Sequence, residues 1–73
     1  MKNRRTEVVL EMMVSLWSKG SFKEGPIKEE LSVSRSTFFR GLSDLRCYLA
    51  EHRPYVELIY DEEKGAYRLD NEF

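Results

Sequence analysis

The feature that most constrains the fold is a long amphipathic segment that ends at a proline. Its apolar residues recur every three or four positions: Phe38, Leu42, Leu45 and Leu49. This spacing places the four side chains within an arc of ~60° on a helix, as a core-facing stripe requires. Ser34 is a suitable N-cap, and Pro54 prevents the helix from continuing. The pattern therefore predicts a helix from Ser34 to about Glu51.

Two shorter helices are predicted before this one. The first runs from Thr6, a plausible N-cap, to Lys19, and Gly20 ends it as a C-terminal cap. The second opens at Gly25-Pro26, where the missing N–H of a first-turn proline costs nothing, and ends near Leu31. The predicted buried stripe of the first helix follows the i, i+3, i+4, i+7, i+8 spacing: Val9, Met12, Met13, Leu16 and Trp17.

Other apolar residues of the first helix lie outside that stripe, namely Val8, Leu10 and Val14. The whole apolar arc covers roughly 240°, which is more than one core-facing side requires. Two interpretations stay open. Either the extra aliphatic residues are tolerated at the surface, or the helix also packs on a second protomer or a further domain. In the second case Leu10 and Val14 are the candidate dimer-interface residues.

The last third of the chain alternates apolar and polar residues and predicts a β-hairpin. Its strands cover 55–60 and 66–70, and Gly65 is the left-handed residue of the loop. A short extended piece, 21–23, separates the first two helices. This order of elements predicts an α+β fold, a winged helix-turn-helix with three helices and a C-terminal hairpin wing. We expect a single domain over 1–73, in which residues 1–5 form a flexible basic arm.

Composition narrows the classes of function. One Cys and one His exclude an internal disulfide and leave no plausible zinc ligand set. No apolar run approaches the ~20 residues that span a bilayer, so we expect a cytoplasmic protein without a membrane partner. The sequence contains no nucleophile–base pair, glycine-rich phosphate loop or metal-ligand cluster. We therefore expect neither an enzyme nor a cofactor.

The net charge of −1 does not indicate a polyanionic partner, but the distribution of charge does. Residues 32–43 contain two charged side chains, Arg35 and Arg40, and both are basic. On the third predicted helix, Ser36, Arg40 and Ser43 lie opposite the core stripe. A protruding helix with small hydroxyl groups, a guanidinium group and no acid fits the major groove of DNA, which is about 12 Å wide.

The residue types on this helix suggest particular contacts. Arg40 can donate two hydrogen bonds to guanine O6 and N7. Ser34, Ser36 and Thr37, with the first amides of the helix, can hold a phosphate at the positive helix end. Phe39 lies on the flank, where it either contacts a thymine methyl group or covers the edge of the core or a protein partner.

The stretch Val33-Ser34-Arg35-Ser36-Thr37-Phe38-Phe39-Arg40, followed by Leu42 and Leu45, resembles the helix-turn-helix of DeoR-type bacterial regulators and of WYL-domain regulators. The later Lys64-Gly65-Ala66-Tyr67-Arg68-Leu69 is similar to the wing of that family. The resemblance implies sequence-specific binding to double-stranded DNA, as a homodimer, by a bacterial or phage transcription regulator associated with the nucleoid. The DNA contacts that it implies are Arg35, Ser36, Thr37, Phe39 and Arg40 in the groove and Lys64 on the wing.

The sequence departs from the family pattern at several positions. Gly41 replaces the usual Asp within the third helix. Ser32 stands where the turn before that helix often has Gly, so we expect strain in the turn. Three acids at 61–63 would repel phosphate and disfavour deep insertion of the wing. The family also carries a carboxy-terminal sensor domain, so the chain is either a fragment of a longer regulator or a small stand-alone one.

A second class of function also fits the sequence. The net acidity, the acidic wing loop and the wide apolar arc of the first helix are all compatible with a winged helix that binds another protein and no DNA.

Overall fold

The computed structural model describes residues 4–71. The three helices are α1 (Arg4–Lys19), α2 (Glu24–Leu31) and α3 (Arg35–His52), and the three strands are β1 (Ser21–Phe22), β2 (Val56–Asp61) and β3 (Ala66–Asn71). The strands form one antiparallel sheet in the order β1-β3-β2. This is the α+β layout of a winged helix, and it confirms the predicted fold class. Within residues 4–71, no helix combines the length and apolar character needed to cross a bilayer.

The predicted ends of α3 are confirmed by its caps. The Ser34 hydroxyl accepts a hydrogen bond from the Thr37 amide at 3.2 Å, as an N-cap does. At the other end, Arg53 is the C-cap, and Pro54 follows it directly. Gly20, with φ +82°, ends α1 as predicted, since its amide donates to the Leu16 carbonyl at 3.0 Å.

The prediction for the start of α1 is wrong. The helix begins at Arg4 rather than at an N-cap on Thr6. Arg4 and Arg5 therefore belong to the helix and not to a flexible arm, while residues 1–3 of the predicted arm lie outside the described residues. Ion pairs hold this first turn: Arg4 contacts Glu7 at 3.3 Å, and Arg5 contacts Asp44 of α3.

The core lies between the helices and one face of the sheet, with the Phe38 ring at its centre. Phe38 is fully buried and meets Phe22 of β1 edge-on at 6.3 Å, and Phe22 stacks on Tyr67 of β3 at 5.2 Å. The other members of the buried core are Val8, Met12, Ile27, Leu42, Leu45 and Leu58. Burial of these apolar side chains provides most of the free energy that favours folding.

The pairing of β1 with β3 extends the predicted two-stranded hairpin to three strands. Ser21 lies opposite Arg68, and Phe22 lies opposite Tyr67. The strand is only two residues long, which gave the sequence no period to detect. Its role is to hold Phe22 over the core from the edge of the sheet.

The buried stripe predicted for α1 is wrong for two residues. Trp17 is 94% exposed and Met13 is exposed, whereas Val8, which the prediction left outside the stripe, is fully buried. The residues that α1 buries are Val8, Met12 and Ser15, at i, i+4 and i+7. The apolar arc of the helix is so wide that its periodicity does not determine which side faces the core.

The side that α1 buries is decided by Gly41, which is buried in α3. A Cβ atom at this position would lie 2.6 Å from Val8 Cγ1 and 3.0 Å from Val8 Cβ. These distances are shorter than van der Waals contact, so any larger residue would push α1 away. Gly41 therefore permits close packing of α1 on α3.

The turn between α2 and α3 is strained, as predicted. Ser32 adopts φ 53° and ψ 49°, a left-handed conformation that glycine adopts more easily. The amides of Ser32 and Val33 donate to the carbonyls of Glu29 and Lys28. These two bonds form a Schellman motif, which ends α2 and directs the chain into α3.

We predict that Gly41→Ala destabilises the protein. Alanine in place of glycine normally stabilises a helix by about 1 kcal/mol, but here we expect a loss of about 1–3 kcal/mol because the methyl group collides with Val8. Urea denaturation followed by circular dichroism measures the change. Gly25→Ala in α2 is the matched control, since its Cβ would meet nothing within 4 Å. A Gly41→Ala variant as stable as the parent would contradict the packing described here.

Candidate nucleic-acid interface

The sequence-predicted contact residues lie on the first half of α3 and in the turn between β2 and β3. Six of them are exposed: Ser34, Arg35, Ser36, Arg40, Ser43 and Lys64. Two are half-buried: Thr37 and Phe39. The first half of α3 thus presents a continuous polar surface that the rest of the described chain does not cover.

Part of the predicted phosphate site is occupied by the cap of the helix itself. The Thr37 amide donates to Ser34 Oγ, and the two hydroxyl oxygens lie 3.1 Å apart. These groups stabilise the start of α3 and are less available to a ligand. Ser36 remains exposed on the first turn, at the positive end of the helix dipole.

Arg35 is held at the junction between α2 and α3. Its Nε lies 3.3 Å from Glu24 Oε2, and its guanidinium carbon lies 5.2 Å from the centre of the Phe39 ring. Glu24 also contacts Lys28 at 2.9 Å. A DNA phosphate would therefore have to compete with Glu24 for Arg35, although the side chain is exposed enough to turn outward.

Phe39 packs against the edge of the core. Its ring meets Phe38 edge-on at 5.2 Å, and its face supports Arg35. Of the two interpretations of Phe39, the packing at the core edge is observed. Only the exposed part of the Phe39 ring can contact a thymine methyl group.

Arg40 is exposed and makes no hydrogen bond or ion pair with any residue from 4 to 71. This is notable because Asp44 lies four residues later, a spacing at which opposite charges on a helix normally pair. Ser36 and Ser43 flank Arg40 on the exposed side and add only small hydroxyl groups. The arrangement leaves the guanidinium group free to donate to a ligand.

The Asp44 carboxylate is engaged by Arg5 of α1. Arg5 Nε contacts Asp44 Oδ2 at 2.5 Å, and Arg5 Nη2 contacts Asp44 Oδ1 at 2.6 Å. Both carboxylate oxygens are thus bound in a bidentate pair, the strongest geometry for these two groups. The hydrogen bonds from Arg5 lower the pKa of Asp44 below its ordinary value of 3.8. The pair neutralises the first acid of α3.

The turn of the wing is organised by Asp61. Its Oδ1 accepts hydrogen bonds from the amides of Glu63 at 3.0 Å and Lys64 at 3.3 Å, and its carbonyl accepts one from Gly65 at 2.8 Å. Gly65 has φ +63°, as predicted for the left-handed residue of this turn. Asp61 therefore shapes the turn, and Glu62 and Glu63 supply the exposed negative charge at the tip beside Lys64.

Sequence reasoning missed the residues that position the two arginines. Arg5, Glu24 and Asp44 determine whether Arg35 and Arg40 are paired. The Arg5–Asp44 and Arg35–Glu24 ion pairs each join two different helices, so local sequence patterns do not predict them. Arg5 and Asp44 are 39 positions apart, and no local pattern relates them. The one available indication was that Asp44 is the first acid after thirteen residues without one, which made its partner worth identifying.

No protein-family model, curated protein or solved structure matches this chain. The resemblance to winged-helix regulators therefore rests on the sequence motifs alone.

We predict that the pKa of Asp44 depends on Arg5 and not on its neighbour Arg4. Carbon-detected NMR titration of the Asp44 carboxyl group should give a pKa below 3.8 in the parent and a higher value in Arg5→Gln. Because the pKa is lowered by folding, this pair stabilises the protein at neutral pH and loses its contribution as the pH falls below 3.8. Arg4→Gln is the control, and an equal shift in both variants would disprove the assignment.

Proposed function

We propose that this chain is a DNA-binding domain that places the first half of α3 in the major groove of double-stranded DNA. Three features support the proposal: the winged-helix layout, the exposed polar surface of α3, and the absence of acids from Ser34 to Ser43. A helix of this kind has the size that the groove admits.

The observation that carries the proposal is that Arg40 stays unpaired because Arg5 engages Asp44. An exposed guanidinium group without a partner can donate two parallel hydrogen bonds to a guanine edge. We therefore assign base recognition to Arg40, supported by Ser36 and Ser43. We assign Arg35 to the DNA backbone. The Arg35 guanidinium group pairs with the Glu24 carboxylate, and a DNA phosphate is an anion that can replace this carboxylate.

The same reasoning gives the wing a minor role. Lys64 can approach a phosphate, but Glu62 and Glu63 beside it oppose close contact with the DNA backbone. We infer that the wing touches the edge of the duplex without entering a groove deeply.

The resemblance to DeoR-type and WYL-domain regulators extends the proposal to the cellular role of the domain. It supports a bacterial or phage transcription regulator that acts in the cytoplasm at the nucleoid and binds DNA as a homodimer.

A protein-binding winged helix is the second candidate function. It is favoured by one observation, the exposed apolar side chains on α1, which include Leu10, Met13, Val14 and Trp17. These residues belong to a different surface from the polar side of α3. Binding to another protein there would leave the proposed DNA contacts free.

We predict that Arg40→Ala reduces sequence discrimination. Duplexes selected from a random pool with the full chain serve as probes, and fluorescence anisotropy over a salt series measures affinity. The parent should prefer selected over random duplexes, and its affinity should fall steeply with salt. Loss of a bidentate guanine contact costs ~1–3 kcal/mol, so Arg40→Ala should lose roughly 5- to 150-fold in that preference.

Arg53→Ala is the matched control for Arg40→Ala. It removes the same charge at the opposite end of α3, where the side chain is exposed. We expect it to leave the sequence preference unchanged. Equal effects of both variants, or no binding to any selected duplex at low salt, would refute the proposal.

We also predict that Arg5 protects the binding surface from Asp44. In Arg5→Gln, Asp44 becomes free to pair with Arg40 one turn away, so DNA affinity should fall. Adding Asp44→Asn to Arg5→Gln removes the competing carboxylate, and affinity should return toward that of the parent. A direct contact between Arg5 and DNA would give no such recovery, so the double variant distinguishes the two explanations.

A further inference from the structure

A cleft between α1 and α2 takes no part in the function proposed above. It consists of two adjoining depressions of about 230 and 270 Å³, which share the lining residues Ser15, Lys19, Pro26 and Ile27. Typical ligand pockets measure ~300–1,000 Å³, so the cleft suits a molecule of few atoms. None of its lining residues belongs to α3 or to the wing.

Ser15 lies at the centre of this α1–α2 cleft and lacks a partner. The residue is only 8% exposed, and it lines both depressions. Its hydroxyl group makes no hydrogen bond with any residue from 4 to 71. Buried hydroxyl groups are normally hydrogen-bonded, because an unpaired one loses its interactions with water without replacement. The Ser15 hydroxyl group is therefore available to a ligand in the cleft.

Unpaired charges of opposite sign line the two halves of the cleft. Lys19 and Lys23 line the first depression. Glu11 and Glu30 line the second, which Lys19 also borders. None of these four side chains forms an ion pair or a hydrogen bond with any residue from 4 to 71. On α1, Glu11, Ser15 and Lys19 recur at i, i+4 and i+8, so they share one side of the helix over about 12 Å.

The start of α2 strengthens the positive end of the cleft. Lys23 is the N-cap residue of α2, and its side chain makes no capping hydrogen bond. The first amides of α2 are therefore not capped by this side chain, and the helix dipole adds partial positive charge there. The acid of this first turn, Glu24, is engaged by Lys28 and Arg35. The lysine end of the cleft thus favours an anionic group.

We propose that the α1–α2 cleft binds a small zwitterion of about the length of a dipeptide. Its carboxylate group lies at Lys19 and Lys23, and its ammonium group lies at Glu11 and Glu30. Between the two charges, the Ser15 hydroxyl group can donate to or accept from the amide of the ligand. A ligand with one charge would leave the charged side chains at the other end of the cleft without a partner.

The length of the cleft favours a dipeptide over a free amino acid. One residue spans ~3.3–3.6 Å, which is short against the ~12 Å between the levels of Glu11 and Lys19 on α1. The termini of a dipeptide are about twice as far apart, and the long lysine and glutamate side chains cover the remaining distance. Pro26 and Ile27 supply an apolar wall for the side chains of the ligand.

NMR titration of the isotope-labelled full chain tests the proposal, with L-alanyl-L-alanine as the probe. Saturable shifts are expected at the amides of Ser15, Lys19 and Ile27. Three further probes separate the interactions: N-acetyl-L-alanyl-L-alanine lacks the ammonium group, L-alanyl-L-alanine amide lacks the carboxylate group, and L-alanine is too short. Each should bind at least ~2-fold more weakly than the dipeptide, the effect of losing one exposed ion pair.

Ser15→Ala distinguishes ligand binding from a structural role. Alanine favours a helix more than serine does, and Ser15 has no partner from 4 to 71, so the variant should be at least as stable in urea as the parent. Its affinity for L-alanyl-L-alanine should nevertheless fall roughly 2- to 12-fold, the effect of one lost hydrogen bond.

Glu30→Gln tests the acidic end of the cleft and should weaken binding of the dipeptide at least ~2-fold. Glu29→Gln is the matched control, because this neighbouring exposed acid does not line the cleft. We expect it to leave the affinity unchanged. Equal losses in the two variants would show a general effect of charge and would overturn the proposal.

Three other results would also overturn it. These are the absence of saturable shifts with L-alanyl-L-alanine, equal affinities for all four probes, and an unchanged affinity in Ser15→Ala. Tighter binding of L-alanine than of the dipeptide would show that the length assigned to the ligand is wrong. None of these outcomes depends on DNA binding, because the cleft shares no residue with the exposed polar surface of α3.

Discussion

The close contact between Val8 and Gly41 is the constraint on which the rest of this structure depends. Because position 41 has no side chain, the backbone of α3 lets Val8 approach more closely than a Cβ atom at this position would permit. The contact sets the rotation of α1 about its own axis. Val8 and Met12 turn inward with it, while Trp17 turns outward. Gly41 thus permits the contact between the two helices, although a glycine weakens an isolated helix.

The same contact determines the electrostatics of the proposed DNA surface. Arg5 lies one turn before Val8 on α1, and Asp44 lies one turn after Gly41 on α3, so packing of the two helices brings the two charged groups together. The bidentate pair then withdraws Asp44 from Arg40. The packing of α1 on α3 therefore determines both the contact in the core and the unpaired charge of Arg40 on the surface.

The domain offers two surfaces of different chemistry. The first half of α3 is polar and basic, as a partner with phosphate groups and hydrogen-bonding base edges requires. The solvent-facing side of α1 is apolar, and its exposed residues include Leu10, Met13, Val14 and Trp17.

The fold was largely predictable from the sequence where local patterns determine it. The stripe from Phe38 to Leu49, the cap at Ser34 and the turn at Gly65 are short-range features, and each is confirmed. The exposed Arg40 followed from the same helical period, because a helix with one clear apolar stripe has only one possible outer side.

The tertiary structure alone decided the orientation of α1, the addition of β1 to the sheet and the partners of the charged groups. α1 is apolar over most of its circumference, so its sequence is compatible with several rotations, and only the space above Gly41 selects one. Local sequence patterns also do not predict the contact between Arg5 and Asp44, since these residues are 39 positions apart. Sequence periodicity determines which residues share a helical face, but the choice of the face that is buried belongs to the packing of one helix against another.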